Sequence, residues 1–420
     1  MKNKIFEILR HPLISGSFLL ISGGILANLF SFIFNFFMSR NLLVEDYGTF
    51  VSLVSIITLL SIPAGALAPT IVTLAGNFFA DGNLGMVKAL YLKIITILTL
   101  ISIFLFILFT IFAPSMASFF NIKEAVLLPL TAVAIMFSYI FTINLSFFQA
   151  RLSFKLLPSL SVISSFTKLI FGVILVLLGF GLGGAVGSYL LSYIIPILVG
   201  TFFLRHILFH KSAKKTHISF KELINFGIPS AIIIFCLNSF INTDILLVKH
   251  LFSERDAGFY AGLSLVGRVV FYITAPITTV MFPIIINKVK SNLPYKNILY
   301  ASIAVTAAIS IFVTGFYFLF PKFTILFFLK KEEYLTIAGD LGMFGIFITI
   351  YSLVSVLVYY FLSLKKTQIL PILLTGVILQ AILIYFFHSS FSVIILISSV
   401  VSFTVLIGLT LSFKLLSANK

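Results

Sequence analysis

The 420-residue sequence has one cysteine, no tryptophan and only 12 acidic residues, and charged residues make up just 10% of it. Its single thiol, Cys236, excludes a disulfide within the chain and leaves too few thiols for a cysteine-based metal site. Soluble domains carry about 25% charged residues. With 60% hydrophobic residues and a mean hydropathy of +1.20, the chain falls far outside that class. We therefore predict an integral membrane protein.

Apolar runs long enough to cross a bilayer, about 20 residues each, occur twelve times along the sequence. They lie near residues 13–39, 47–75, 88–113, 124–150, 156–179 and 182–206, and near 221–248, 256–287, 296–320, 334–363, 367–387 and 390–413. The runs lack the two-residue alternation of barrel strands, and lipid offers the backbone no hydrogen-bond partner. The predicted fold class is all-α, with about twelve transmembrane helices.

The net charge of +16 could suggest a nucleic-acid partner, but the placement of the basic residues argues against one. Most of them fall at the N-terminus, at even-to-odd connections and at the C-terminus, whereas the opposite loops are balanced in charge. By the positive-inside rule, both termini are predicted to be cytoplasmic. The basic face also favours contact with anionic membrane lipids.

The longest polar stretch, around His206 to Glu222, separates two sets of six apolar runs. It predicts an N-terminal six-helix lobe at 1–207, a basic cytoplasmic linker at 208–220 and a C-terminal six-helix lobe at 221–420. A glycine-rich segment, 179–187, is predicted to form a tight turn between the fifth and sixth spans.

The sequence contains an internal repeat, since residues 40–71 recur in outline at 250–284. The aligned pairs are Asp46 with Asp256, Gly48 with Gly258, and Phe50 with Tyr260. Each half has an even number of spans, so the halves are expected to be parallel repeats with a cleft between them, a plan that suits alternating access in transporters. We interpret the shared residues mainly as scaffold.

Four charged residues lie inside the apolar runs, where each charge costs at least about 2.5–3.5 kcal/mol on insertion scales. They are Lys168, Asp244, Arg268 and, near the outer end of the tenth run, Asp340. Such residues usually face a watery cavity or a partner. Lys168 and Arg268 could bind an anionic headgroup such as a pyrophosphate. Alternatively, Asp244 neutralises one of these cations in a structural pair.

Amides and hydroxyls add polar faces to two of the spans. They are Asn28, Ser31 and Asn35 in the first span, and Asn238 and Asn242 in the seventh. These groups suit a hydrated passage for a polar cargo, or else they hydrogen-bond helix to helix at about 0.6 kcal/mol each. Arg40 is a further candidate at the outer end of the first span. No metal site or cofactor is expected, and the identity of any coupling ion is left open.

The chain resembles bacterial polysaccharide-unit flippases of the Wzx type, in the multidrug/oligosaccharidyl-lipid/polysaccharide (MOP) exporter superfamily. The resemblance covers the whole chain and is strongest at Arg40 with 45–50, and at 244–249 with 258–261. It implies a V of two lobes around a cationic cavity. It also implies translocation of undecaprenyl-diphosphate-linked oligosaccharide across the bacterial inner membrane, from the cytoplasmic to the outer leaflet. The glycan would be an O-antigen (lipopolysaccharide), capsule or exopolysaccharide.

Two alternative functions stay open. Drug exporters of this superfamily, which are coupled to cations, often carry an acidic residue in the first span, where this chain has Asn28 and Asn35. A polysaccharide polymerase or ligase would be an enzyme with a sizeable outer loop, and the outer loops here are short. We expect a transporter and not an enzyme. Its expected partners are the lipid-linked oligosaccharide, membrane lipids, a polymerase and a chain-length regulator, with no nucleic acid.

Overall fold

The structure, a computed structural model, describes residues 12–153, 155–209 and 228–418. Every regular element within these ranges is a helix, so the predicted all-α fold class is confirmed. Most of the predicted linker, 208–220, lies outside the described residues, as do the basic residues before position 12.

The first half of the chain forms seven α-helices. They are α1 (Pro12–Asn41), α2 (Val44–Ala80), α3 (Leu84–Ile111), α4 (Ala113–Phe119), α5 (Leu127–Ala150), α6 (Leu156–Leu175) and α7 (Gly181–Leu208). A π-helical turn, Val176–Phe180, joins α6 to α7. Nine further α-helices form the second half. They are α8 (Ile228–Phe240), α9 (Thr243–Leu251), α10 (Glu254–Gly267), α11 (Val269–Lys290), α12 (Lys296–Leu319), α13 (Pro321–Leu329), α14 (Leu341–Ser363), α15 (Leu370–Phe386) and α16 (Phe391–Ala418). A 3₁₀-helix, Glu332–Asp340, precedes α14.

In the described part of the chain, nine helical stretches are long and apolar enough to cross a membrane, or ten if the bent pair α8 and α9 forms one span. One of these stretches, Leu156–Leu208, contains both the fifth and the sixth predicted spans. The two spans meet at Gly179 and Gly181, where the backbone has positive φ and the helix is interrupted. A shorter apolar helix, α15, coincides with the eleventh predicted run. The chain is a multi-pass membrane protein.

The glycine-rich turn between α6 and α7 is shorter than the sequence predicts. Gly179 and Gly181 have φ of +90° and +46°, values that glycine adopts without steric penalty. The glycines after position 181, however, are already part of α7. A Cβ on Gly184 would lie 2.9 Å from the Cβ of Leu175. Close packing between helices, and not turn geometry, therefore accounts for glycine at 184.

The seventh predicted span is broken, in contrast to the continuous helix that its apolar run suggests. Helices α8 and α9 meet at a bend of 49°. At the end of α8, the carbonyl oxygen of Phe240 accepts a hydrogen bond of 3.0 Å from Nε2 of Gln380 in α15. That side chain supplies a donor where the helix no longer provides one, and so it stabilises the break.

The eighth predicted span is divided as well, because α10 ends and α11 begins on either side of Arg268. Close to this point, the hydroxyl of Tyr317 in α12 donates a 2.7 Å hydrogen bond to the carbonyl oxygen of Val266. Again a side chain of another helix satisfies a backbone group beside the interruption.

Contacts divide the chain into two compact units, one with the bounds Met1–Leu42 and Ile56–Gly227, and the other Leu43–Ser55 and Ile228–Lys420. The first turns of α2 therefore belong to the second unit. With 37 residues, α2 is about 55 Å long. It is longer than the hydrocarbon core of a bilayer, about 30 Å thick.

Within the second unit, Gly48 of α2 and Gly258 of α10 lie backbone against backbone. A Cβ on Gly48 would be 2.6 Å from the amide nitrogen of Gly258, and one on Gly258 would be 2.0 Å from the carbonyl oxygen of Val44. Real Cβ atoms essentially never approach another heavy atom within 3.0 Å. The equivalent glycines of the internal repeat are thus in contact with each other.

Candidate functional site

In the first unit, the ammonium group of Lys168 lies against α1 and α7. Its Nζ donates a hydrogen bond of 3.2 Å to Oγ of Ser31. Oγ of Ser31 in turn donates to Oγ of Ser165 at 3.2 Å. The same Nζ lies 5.2 Å from the ring centre of Phe34 and 4.8 Å from that of Tyr189. The contacts to the hydroxyl and the ring faces stabilise the charge by cation–π attraction as well as hydrogen bonding.

No carboxylate of the described residues forms an ion pair with Lys168. The residue is mostly buried but retains some exposure. The positive charge is therefore stabilised by its neighbours and not neutralised by them, so it remains able to attract an anion.

Small residues bring α1 and α6 close enough for these contacts. A Cβ on Gly172 would lie 2.4 Å from Cε2 of Phe34, and one on Gly23 would lie 2.4 Å from Cβ of Pro158. Such close packing at small residues is typical of membrane helices. It places Ser31 within reach of the lysine.

The other candidates in α1 form no hydrogen bond with Lys168. Nδ2 of Asn35 donates a 2.8 Å hydrogen bond to the backbone carbonyl of Ser31, and Asn28 is exposed. The guanidinium carbon of Arg40 lies 3.5 Å from the ring centre of Phe36. Of the predicted polar face, Ser31 is thus the member that joins the lysine.

In the second unit, a fully buried carboxylate, Asp244, lies at the start of α9. Its Oδ2 accepts a 2.8 Å hydrogen bond from the hydroxyl of Tyr260, and its Oδ1 accepts one of 2.9 Å from the amide of Ile245. Nη2 of Arg268 lies 3.9 Å from Oδ1. A buried carboxylate needs such partners because its desolvation costs several kcal/mol.

The ion pair leaves Arg268 only partly satisfied. A separation of 3.9 Å is too long for a hydrogen bond. The Nε and Nη2 atoms of Arg268 are buried and donate no hydrogen bond, and only 11% of the side chain is exposed. Unmade hydrogen bonds of buried donors cost about 1–3 kcal/mol each. A phosphate oxygen is an acceptor that would remove this penalty.

The remaining candidates in the second unit all form hydrogen bonds. Nδ2 of Asn238 donates to the carbonyl of Ile234 at 2.9 Å, and Nδ2 of Asn242 donates to the carbonyl of Asn238 at 2.8 Å. In both hydrogen bonds the acceptor is a backbone carbonyl four residues earlier in the chain. Oδ1 of Asp340 accepts a 2.5 Å hydrogen bond from Oγ of Ser392.

Within the described ranges, no group of three or more His, Cys, Asp or Glu side chains could hold a metal ion.

Two important aromatic residues, Tyr189 and Tyr260, were missed by the sequence reasoning as site residues. Nothing in the sequence around Tyr189 indicates a contact with Lys168. Tyr260 did carry a signal, because the repeat aligns it with Phe50. The added hydroxyl occurs in the copy that has the buried Asp244 as its acceptor.

The sequence profile of a family described as polysaccharide biosynthesis protein matches residues 37–338. No curated protein sequence matches the chain significantly.

Several solved structures share the fold. An inward-facing multidrug-resistance transporter of the MATE family, in the MOP superfamily, has a TM-score of 0.70 at 13% identity, covering 94% of this chain and 95% of the other. The lipid II flippase MurJ, in an inward closed conformation, has a TM-score of 0.70 at 17% identity, covering 94% and 87%. The eukaryotic MATE transporter AtDTX14 has a TM-score of 0.68 at 18% identity, covering 96% and 97%.

Proposed function

The chain belongs to the family of polysaccharide biosynthesis proteins and has the fold of MOP-superfamily transporters, and from this premise we propose that it is a flippase for lipid-linked oligosaccharides. The cargo is an undecaprenyl-diphosphate-linked repeat unit of O-antigen, capsule or exopolysaccharide. It moves by alternating access from the cytoplasmic to the outer leaflet of the bacterial inner membrane. Both termini are cytoplasmic in this proposal, as the positive-inside rule suggests.

The observation that carries the proposal is the pair of unsatisfied guanidinium nitrogens on Arg268. A diphosphate offers anionic oxygens that an arginine can bind through two parallel N–H bonds, a geometry that lysine cannot reproduce. The first unit supplies a second cation, Lys168, which has a hydroxyl partner but no carboxylate partner among the described residues. Each unit therefore carries one cation suited to a phosphate group.

The buried carboxylate argues against the drug-exporter alternative. A proton- or cation-coupled exporter needs an acidic group that is able to bind the coupling ion. Both oxygens of Asp244 instead accept hydrogen bonds, one from Tyr260 and one from Ile245, while Arg268 balances the charge. The charge of the nearby Arg268 disfavours a second cation at Asp244.

The described residues offer no extramembrane segment in which a polymerase or ligase could carry out catalysis. In the ranges that the structure describes, the helices are joined by short connections, and no extramembrane domain lies between them. Catalysis on an oligosaccharide would need polar groups gathered outside the bilayer.

The test replaces Lys168 and Arg268 by glutamine, singly and together, in a strain that lacks the native copy. We expect each single variant to reduce surface glycan and the double variant to abolish it, with lipid-linked units accumulating in the inner leaflet. Arg268→Lys tests geometry, because it keeps the charge but loses the paired N–H donors. Lys322→Gln is the matched control, since this lysine is exposed at the start of α13.

Normal export by the double variant would contradict the assignment of these cations to the diphosphate. The enzyme alternative makes a different prediction for a strain without the protein. Single repeat units would then reach the outer leaflet and remain unpolymerised, whereas loss of a flippase retains them on the cytoplasmic side.

A further inference from the structure

A groove of about 670 Å³ lies between α1 and α6, within the first unit. Its volume is in the range of about 300–1,000 Å³ that ligand sites occupy. The wall is mainly apolar and includes Leu19, Leu26, Pro158, Val162 and Ile163. Two serines, Ser22 and Ser159, also line the groove. Their hydroxyls donate to the backbone of their own helices, so they present little unsatisfied polarity to a ligand.

One cation, Lys155, lines the groove, and its side chain is exposed. It immediately precedes α6, and the other lining residues of that helix follow it along the chain. From Lys155 to Ile163 the helix rises by about 12 Å. The groove therefore has a positive charge at one end and a hydrocarbon-like wall beyond it.

This order of polarity matches a lipid of the cytoplasmic leaflet. With the topology proposed above, Lys155 lies on the cytoplasmic side, at the level of the lipid headgroups, and the apolar wall extends toward the bilayer centre. A basic residue at that level attracts anionic headgroups. A lipid could keep its ordinary orientation, with phosphate at Lys155 and its chain along α1 and α6.

The same two helices continue to the site of Lys168. Lys168 lies five residues beyond Ile163, and Ser31 lies five beyond Leu26, which is about 7.5 Å along each helix. The apolar end of the groove is thus one or two helical turns from Lys168, whereas a phosphate at Lys155 is thirteen residues, about 20 Å along the helix, from that cation. We propose that the groove binds the polyprenyl chain of the lipid-linked substrate, with its phosphate at Lys155, as an entry site before translocation.

The proposed occupant is an anionic lipid because the described lining of the groove combines an apolar wall with one cation, Lys155. This inference rests on the proposed function, since it assigns the groove to the lipid carrier of the cargo.

The test measures binding of undecaprenyl phosphate to the purified full chain in detergent, with phosphatidylglycerol as the competing two-chain anion. Lys155→Gln should weaken binding about fivefold, the effect of one basic residue near a membrane surface. Val162→Phe fills the groove, and loss of contact with even two methylenes should weaken binding by more than about tenfold. Lys296→Gln is the control, because Lys296 is also exposed at a helix start.

Weaker binding in both groove variants, unchanged binding in the control and little competition by phosphatidylglycerol would support the proposal. Equal competition would overturn it and assign the groove to phospholipid, and unchanged binding in both groove variants would show that the carrier binds elsewhere. Circular dichroism during a temperature ramp reports whether Val162→Phe, which lies in the first unit, is folded. If it is not, Lys155→Gln alone decides.

The export assay separates this inference from the proposed function. If the groove variants weaken lipid binding but the Lys168 and Arg268 variants export normally, the groove is supported and the diphosphate site is contradicted. If export is lost in the Lys168 and Arg268 variants but the groove variants bind lipid normally, the flippase is supported and the groove proposal is overturned.

Discussion

Alanine substitution at Gly48 or Gly258 tests the contact between α2 and α10. The atoms that a new methyl group would meet are backbone atoms, at 2.6 Å for Gly48 and 2.0 Å for Gly258. A flexible side chain could rotate away from such a methyl group, but a helix backbone can only shift as a whole. We therefore expect each substitution to separate the two helices.

The magnitude follows from two opposing terms. Alanine is favoured over glycine in a helix interior by about 1 kcal/mol, whereas overpacking costs about 1–3 kcal/mol. Because the clash is with backbone atoms, we take the upper end of that range, and the free energy of unfolding should fall by about 2 kcal/mol in each variant. Two control glycines, Gly65 in α2 and Gly315 in α12, have no heavy atom within 4 Å of an added Cβ. Their alanine variants should be more stable by up to about 1 kcal/mol.

The double variant, Gly48→Ala with Gly258→Ala, gives a sharper test. Residues in direct contact are energetically coupled, so their effects do not add. Once one methyl group has separated the helices, the second meets less resistance. The loss in the double variant should therefore be clearly smaller than the sum of the two single losses.

The single cysteine of the chain provides the assay. Cys236 is fully buried and lies in the second unit, so a maleimide that fluoresces on thiol addition reports unfolding during a temperature ramp. Melting temperatures of the two contact variants should fall below that of the unmodified chain, and those of the controls should equal or exceed it. If Gly48→Ala and Gly258→Ala melt like the controls, the close approach of α2 and α10 is refuted.

Three further substitutions test other parts of the second unit. Gln380→Leu removes the donor to the Phe240 carbonyl and should lower the free energy of unfolding by about 1–3 kcal/mol, and an unchanged melting temperature would count against its role at the break. Tyr260→Phe removes a donor to Asp244 and should lose about 1.5–3 kcal/mol, with no loss expected if that hydrogen bond is absent. Arg255→Gln removes an exposed ion pair and should change stability by less than about 1 kcal/mol, so a larger change in melting temperature would contradict its surface role.

The positions of the helices could be predicted from the sequence because long apolar runs are a local property. The breaks at Phe240 and Arg268 could not. Each depends on a side chain distant in the sequence, and Gln380 lies 140 residues from the carbonyl that it satisfies. The pattern of apolar residues within the seventh or eighth run does not indicate such a partner.

In the candidate site, too, some features could be predicted from the sequence and others could not. The high energetic cost of a charge in lipid singled out Lys168, Asp244 and Arg268 from the sequence alone. Their immediate partners are separated from them in the chain, as with Ser31, which is 137 residues from Lys168. That Asp244 neutralises one of the two cations, Lys168 or Arg268, is one of the two alternatives that the sequence predicts. In the structure the partner of Asp244 is Arg268, and two donors of the arginine make no hydrogen bond.

The contact between Gly48 and Gly258 joins equivalent positions of the two copies of the repeat. In a symmetric dimer, one gene encodes both sides of a contact, and every substitution appears twice. In a fused chain each copy can change alone, as the alignment of Phe50 with Tyr260 illustrates. At the glycine contact this freedom is lost, because a larger residue in either copy acts on the backbone of the other half of the repeat. Duplication thus permits the two copies to acquire different chemistry, while at this one contact each copy still limits the size of the residue in the other.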